Sequence, residues 1–321
     1  MTRRLAPPLL LLLLLGCAVP SGPPVRIAVP IGSTLRTVGD SLVARGVLGT
    51  SRWFLLRGRF QRVDRRILPG IYEFVPGSSV SLILGRLSRH DAIKFKITLS
   101  EGATLFDLAR RCDSVLGIPA DSFLVAARDS ALRQQFGIPA ATVEGWLRPV
   151  TFTFTGLGGA REVLTAFLSD RQGHWPADWQ ARADAAHLDQ PGVLSLASIV
   201  EAEAMQREEL PRIAAVYRNR LRLKMPLQAD PTIQYAYLLD SGARKPRLYT
   251  KDYGYRSPYN SYLHPGLPPT PIGNPSDAAI EAVLSPAPGR ELYFVAAGDG
   301  SHLFAMTYAE HLRNIRRVRS Q

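Results

Sequence analysis

One local arrangement recurs three times in the first third of the chain and limits what it can fold into. "VRIAVPIGSTLRTVGDSL" (25–42), "IYEFVPGSSVSLILGRL" (71–87) and "FKITLSEGATLFDLARR" (95–111) each place an alternating strand before a glycine turn, a Ser or Thr, and an apolar helix start. Thr34, Ser79 and Thr104 stand where a side-chain oxygen can accept from an unpaired amide of the first helical turn. Behind them Leu35 and Val38, Val80 and Ile83, and Leu105 and Leu108 have the spacing of one helix face. Half-buried strands and one-sided helices bury against each other, so the expected class is α+β, opening with small α+β units.

The remaining sequence divides by texture. With 321 residues, 46% of them hydrophobic, the chain can build more than one core. Residues 1–17, "MTRRLAPPLLLLLLLGC", combine Arg3 and Arg4 with a short apolar run, the pattern of an export signal. The run is too short, and too interrupted by Pro7 and Pro8, for an ordinary spanning helix. "LLGC" resembles a bacterial lipoprotein box with Cys17 as the lipid-bearing residue, and an uncleaved signal-anchor is the alternative. Either way the body is expected in the cell envelope, membrane-anchored, on the extracytoplasmic, periplasmic side. Residues 18–24 form a linker, 25–92 the first α+β region, 93–190 a second α+β and helical region, and 191–321 a third part. In that third part "PGVLSLASIVEAEAMQREELPRIAAVYRNRLRLKM" reads as two helices broken near Pro211. A last helix at 276–284 and the strand "ELYFVAAG" are read as closing the chain. Cys112 has no second thiol to pair with once Cys17 carries lipid, so it is expected to be a buried apolar thiol.

Chemistry is sought first in "LASIVEAEA" (196–204), an apolar run carrying Glu201 and Glu203. On a helix two residues apart these lie about 200° from each other, so they do not act on one bond together. Glu201 shares its side with Leu194, Ala197, Ser198, Ala204 and Met205, a mostly small-residue face that leaves room for a substrate and a partly apolar niche. Such a niche raises a carboxyl pKa toward what a general acid needs. Glu203 shares its side with Leu196, Ile199 and Val200 and needs a partner, for which an Arg of "YRNRLR" is a candidate. Downstream loops carry Gln228, Asp230, Thr232, Tyr235, Tyr259, Asn260 and Tyr262, residue types that stack on sugar faces or bond hydroxyl and acetamido groups, though turn packing uses the same residues. The six histidines show no metal spacing, no G-x-S-x-G elbow occurs, and no glycine-rich phosphate loop follows a strand. No metal or cofactor is expected. The net charge of +12 favours an anionic partner, but no interleaved aromatic–basic stripe supports a nucleic-acid reader.

The ordered motifs "ASIVEAE" (197–203), "VYRNRL" (216–221), "MPLQADPT" (225–232), "YNSY" (259–262), "GLPPTPIGNP" (266–275), "YFVA" (293–296), "GSHLF" (300–304) and "EH" (310–311) resemble the YceG-like family of endolytic murein transglycosylases, as do "LPGIYEF" and "LSEGATL" upstream. The resemblance runs from about Val25 to Arg317. It implies N-terminal LysM-like units followed by a mixed α+β catalytic domain over 191–321, with the catalytic Glu on a helix. It also implies lytic cleavage of the MurNAc–GlcNAc bond within nascent glycan strands, leaving 1,6-anhydro-MurNAc ends and terminating strand growth.

Carried over residue by residue, the resemblance makes Glu201 the acid/base, and Gln228, Asp230, Thr232, Tyr259, Asn260 and Tyr262 substrate-binding. Glu203 and Glu144, the latter in "VEGWLRPVT", are supporting residues. Implied partners are peptidoglycan strands and peptidoglycan synthases. The family usually has an acid where this chain has Val150, so a contact made there by relatives is not expected here. Two alternatives stay open: a non-catalytic wall-binding scaffold, and a muramidase-type hydrolase with Asp230 as second carboxylate.

Overall fold

The computed structural model describes residues 21–320, so the expected signal and the lipid-bearing Cys17 lie outside the described residues. The described chain forms two compact units. One runs to Lys94 and includes Thr155–Leu157; the other comprises Phe95–Phe154 and the chain from Gly158 onward.

In the first unit the order is β1 (Val25–Val29), α1 (Leu35–Ala44), α2 (Arg52–Phe60), a 3-10 turn at Val63–Arg65, β2 (Gly70–Phe74) and α3 (Val80–Arg89). The expected caps form. The Thr34 hydroxyl accepts from the Thr37 amide and Ser79 accepts from Leu82. The first two copies of the repeat are not separate modules, however. β1 and β2 pair antiparallel, Val25 against Phe74 through Val29 against Gly70, so both copies share one sheet and one core. That core is built on Ile27, Leu42, Phe54, Tyr72, Phe74, Ile83 and Leu87.

The third copy folds in the second unit. β3 (Phe95–Thr98) pairs antiparallel with β4 (Thr151–Phe154), Phe95 against Phe154. Thr104 caps α4 (Leu105–Leu116) in a reciprocal box with Asp107. The helices α5 (Ala120–Ala126), α6 (Ser130–Gln135), α7 (Ala160–Gly173) and α8 (Ala177–Ala185) follow. Cys112 is fully buried on α4, and burial pushes its thiol up to about 12. Val150 is half-buried against the core and its carbonyl accepts from the Leu99 amide, so its side chain packs.

The centre of this unit is α9 (Gln190–Glu203), opened by the Asp189 cap on the Gly192 amide with Pro191 in the first turn. Every residue from Val193 to Val200 is buried, so the helix has no solvent face over that stretch. Around it lie α10 (Leu210–Arg222), α11 (Asp230–Ser241) and α12 (Asp277–Leu284). Pro211 sits in the first turn of α10, where its missing amide costs nothing. The chain does not end on the strand after α12. β5 (Tyr293–Ala296) forms a hairpin with β6 (His302–Ala305), and α13 (Tyr308–Arg319) follows, started by a Thr307–Glu310 capping box. None of the described helices is long and apolar enough to cross a membrane.

Candidate active site

The last turn of α9, the start of α11 and the β5–β6 hairpin enclose a cavity of ≈ 280 Å³ lined by Glu203, Tyr217, Arg220, Gln228, Asp230, Tyr262, Phe294, His302 and His311. Each wall has a local cause. α9 ends at Glu203 because Ala204 turns to extended backbone, which leaves the Glu203 side chain at the helix end, half-buried at the cavity wall. α10 presents Tyr217 and Arg220 on adjacent turns. The Tyr217 hydroxyl donates to Glu203 Oε1 at 2.9 Å, and its ring meets Phe294 edge-on at 5.7 Å. Arg220 is spent on the backbone: Nε donates to the Leu292 carbonyl and Nη1 to that of Leu227, both at 2.7 Å. It therefore ties the hairpin strand and the "MPLQ" loop to α10 and lends its charge to the cavity.

Opposite, "LQADPT" and "YNSY" lock one another. Gln228 adopts φ 52°, an uncommon conformation for a non-glycine residue, and its amide donates to the Ser261 carbonyl at 3.1 Å. The Ser261 hydroxyl accepts from the Ala229 amide at 2.9 Å. Tyr262 then reaches Asp230, its hydroxyl donating to Oδ1 at 2.7 Å. On the hairpin side His302 is held by Glu209 at 2.6 Å, whereas the buried Nδ1 of His311 has no hydrogen-bond partner.

These surroundings set the electrostatics. Glu203 is pushed up to about 7, first by burial; Asp230's negative charge adds to the rise, while the Tyr217 hydrogen bond and Arg220 oppose it. Its carboxyl is thus poised to hold or release a proton near neutrality. Burial raises Tyr217 well above its usual value and Glu203 adds to that, so Tyr217 remains a donor. Burial also lowers His311, with Arg220 adding to the effect.

The expected site residues are not all gathered here. Glu203, Gln228, Asp230 and Tyr262 line the cavity, but Glu201 does not. Its Oε2 accepts from both the amide and the hydroxyl of Ser276, the residue whose hydroxyl caps α12 at the Ala279 amide. On its other flank Gly102, at φ 69°, packs so closely that a Cβ there would sit 3.3 Å from Glu201 Cγ. On the small-residue face expected to admit a substrate, Ala197 and Ser198 are buried, Ser198 accepting from the Ile272 amide at 3.0 Å, while Glu201 and Ala204 are half-buried.

Thr232 is fully buried, its hydroxyl donating to the Ala229 carbonyl at 2.6 Å. Asn260 is also fully buried and staples its loop, donating to the Tyr253 and Tyr255 carbonyls and accepting from the Tyr262 amide. The Tyr259 hydroxyl pairs with Thr270 at 2.8 Å. None of these three lines the cavity.

Glu144 is buried elsewhere in the unit, accepting from the Leu105 amide, Tyr235 and Asn274, and burial pushes it up to about 7. It joins α4, α11 and the loop before α12. Tyr217, Arg220, His302 and His311 were not singled out as site residues from sequence; the signal for them lay in the motifs that contain them. A larger cavity, ≈ 610 Å³, opens beside His187, Arg218 and Pro288, but no carboxylate lines it, so it lacks a general acid.

The chain is similar to known proteins. The family model described as the YceG-like family matches residues 27–317. The endolytic murein transglycosylase of Bacillus subtilis is 28% identical over 302 residues, spanning 89% of this chain and 82% of that protein. The endolytic murein transglycosylase of Streptococcus pneumoniae (strain D39) is 25% identical over 91% of this chain, which spans 58% of that longer protein. A crystal structure of a YceG-like protein from Listeria monocytogenes superposes with a TM-score of 0.63 at 26% identity, covering 90% of this chain and 98% of that one. With the match extending through both units and through every motif that walls the cavity, the chain belongs to the YceG-like family.

Proposed function

We propose that this protein is an endolytic peptidoglycan lytic transglycosylase and that Glu203, not Glu201, is its acid/base. The observation that carries this reading is the Glu203 carboxyl, half-buried in the motif-lined cavity and pushed up to about 7. A carboxyl with that value is partly protonated at neutral pH and can act first as acid, then as base.

The protonated Glu203 gives its proton to the glycosidic oxygen, and the bond from the muramyl C1 to that oxygen breaks. The C6 hydroxyl of the same muramyl residue attacks C1, and Glu203 takes back the hydroxyl proton. The products are a 1,6-anhydro end and a free GlcNAc hydroxyl, and no water is consumed. Asp230 keeps negative charge in the cavity, which favours the positive charge developing at C1. Gln228 and Tyr262 are the proposed substrate contacts.

The first unit is proposed to be a LysM-like wall-binding module. Its strand–helix–helix–strand order and the hydroxyl-lined concavity at Ser33, Thr34, Thr37 and Ser41 support that reading. A cell-envelope location with an N-terminal membrane tether, and partnership with the synthases that extend the same strands, follow from the proposed substrate.

The test is end-group analysis. Purified protein is incubated with long glycan strands and the products are read by mass spectrometry. Internal 1,6-anhydro ends are expected. Because Asp230 shares the cavity with Glu203, reducing muramic ends would instead mark a hydrolase using both carboxylates, and binding without turnover would mark a scaffold.

A further inference from the structure

The first unit exposes one face that its own core does not explain. α2 reads "RWFLLRGRF", and its inward side is Phe54 and Gly58. Gly58 fits there because a Cβ would meet Leu35 at 2.9 Å. The opposite side carries Trp53, Leu56 and Phe60, which are 69%, 61% and 90% exposed. At about 100° per residue these three fall within roughly 60° of arc, a continuous apolar strip pointing away from the core. Exposed Leu and Phe scattered singly need no explanation, but an aligned strip does.

The strip is framed by charge of one sign. Arg52, Arg57, Arg59, Arg62, Arg65 and Arg66 lie on α2 and the turn after it, with Asp64 the single acid between them. None of the six arginines forms an ion pair within the described residues. Trp, Leu and Phe on one side of a helix with unpaired arginines around them is the composition that lies in a bilayer interface. Beside the rings the segment offers six arginines against one carboxylate, Asp64, and one amide, Gln61, a balance that favours phosphates over sugar hydroxyls. In sequence, Ser21, whose amide donates to the Pro76 carbonyl of this unit at 3.1 Å, stands six residues beyond the apolar run that ends at Leu15.

We propose that α2 docks this unit on an anionic phospholipid bilayer. Trp53, Leu56 and Phe60 enter the interfacial layer, and the arginines meet headgroup phosphates. Docking holds the first unit against the membrane surface independently of the N-terminal segment and of the catalytic reading.

The test uses protein beginning at Ser21, since both hydrophobic cores are built from later residues. It is sedimented with vesicles of phosphatidylglycerol and phosphatidylcholine, with vesicles of phosphatidylcholine alone, and with isolated glycan strands. Binding to the anionic vesicles is expected, weakened by salt and much weaker on phosphatidylcholine alone. W53S/L56S/F60S should reduce it roughly tenfold or more without lowering the melting temperature, and R57Q/R59Q/R62Q should reduce it by a similar factor. Absence of binding to anionic vesicles overturns the proposal, as does binding by both variants at the original strength. Loss of glycan binding in W53S/L56S/F60S with vesicle binding intact would reassign the face to carbohydrate.

Discussion

Replacing Tyr217 by Phe removes one hydroxyl from the cavity and leaves the ring that packs edge-on against Phe294. The lost group donates to Glu203 Oε1 at 2.9 Å and is the leading influence holding that carboxyl down against burial. A hydrogen bond to a charged group contributes about 1.5–3 kcal/mol, and part of it survives in the protonated form. If about 1.4 kcal/mol of it is specific to the carboxylate, Glu203 titrates about one unit higher. A general acid works protonated, so activity is present below its pKa and lost above it. Initial rates of anhydro-end release, measured from about pH 5 to about pH 9, should fall near pH 7 in the wild type and about one unit higher in Tyr217→Phe. The wild-type rate below the fall should be largely retained. A high-pH limb that stays in place, or moves to lower pH, would refute the claim that the titrating acid is the carboxyl Tyr217 holds.

Asp230→Asn tests the opposing influence: without that negative charge Glu203 should titrate lower, so the same limb should move toward acid, as rate profiles can show. Glu144→Gln should flatten the dependence of stability on pH. The raised folded-state value of Glu144 means its stabilisation is full below about 4.5 and lost as pH rises through about 7, so up to about 3 kcal/mol is at stake across that window in wild-type melts. Ser276→Ala removes the hydroxyl that caps α12 and one of the two hydrogen bonds to Glu201, leaving the backbone amide of residue 276 as its donor. It should cost about 1–3 kcal/mol in denaturant unfolding while leaving the pH profile of cleavage unchanged.

The helix starts of the repeated segments were legible because a cap is a local event: Thr34, Ser79 and Thr104 each accept from an amide three residues on. Strand pairing was not, because the grammar that places a strand before a cap does not name its partner. Thus β1 took β2, while β3 took β4 from beyond three helices. The two glutamates show the limit of helical-face reasoning. It assumes a wet side and a dry side, and α9 is buried all round from Val193 to Val200. Which carboxylate meets a cavity is then decided by neighbours: the loop at Ser276 takes Glu201, and α10 with the hairpin leaves an opening at Glu203. The partner Glu203 needed does lie in "YRNRLR", but the direct donor is Tyr217, with Arg220 acting through its charge. Helix α13 carries a readable Thr307–Glu310 box that the arginine-rich run after it obscured. Thr232 and Asn260 looked like sugar contacts by residue type, but both are fully buried and hydrogen-bonded within α11 and its neighbouring loop, while Tyr259 is half-buried and bonded to Thr270.

The most direct measurement compares Glu203→Gln with Glu201→Gln on the same glycan strands, counting 1,6-anhydro ends by mass spectrometry and recording each variant's melting temperature. Loss of a general acid lowers the rate roughly 10²–10⁴-fold. The account predicts a loss of that size in Glu203→Gln with the fold intact, and a Glu201→Gln protein that still cleaves and melts earlier. A Glu203→Gln protein that cleaves normally beside a folded, inactive Glu201→Gln protein would contradict it.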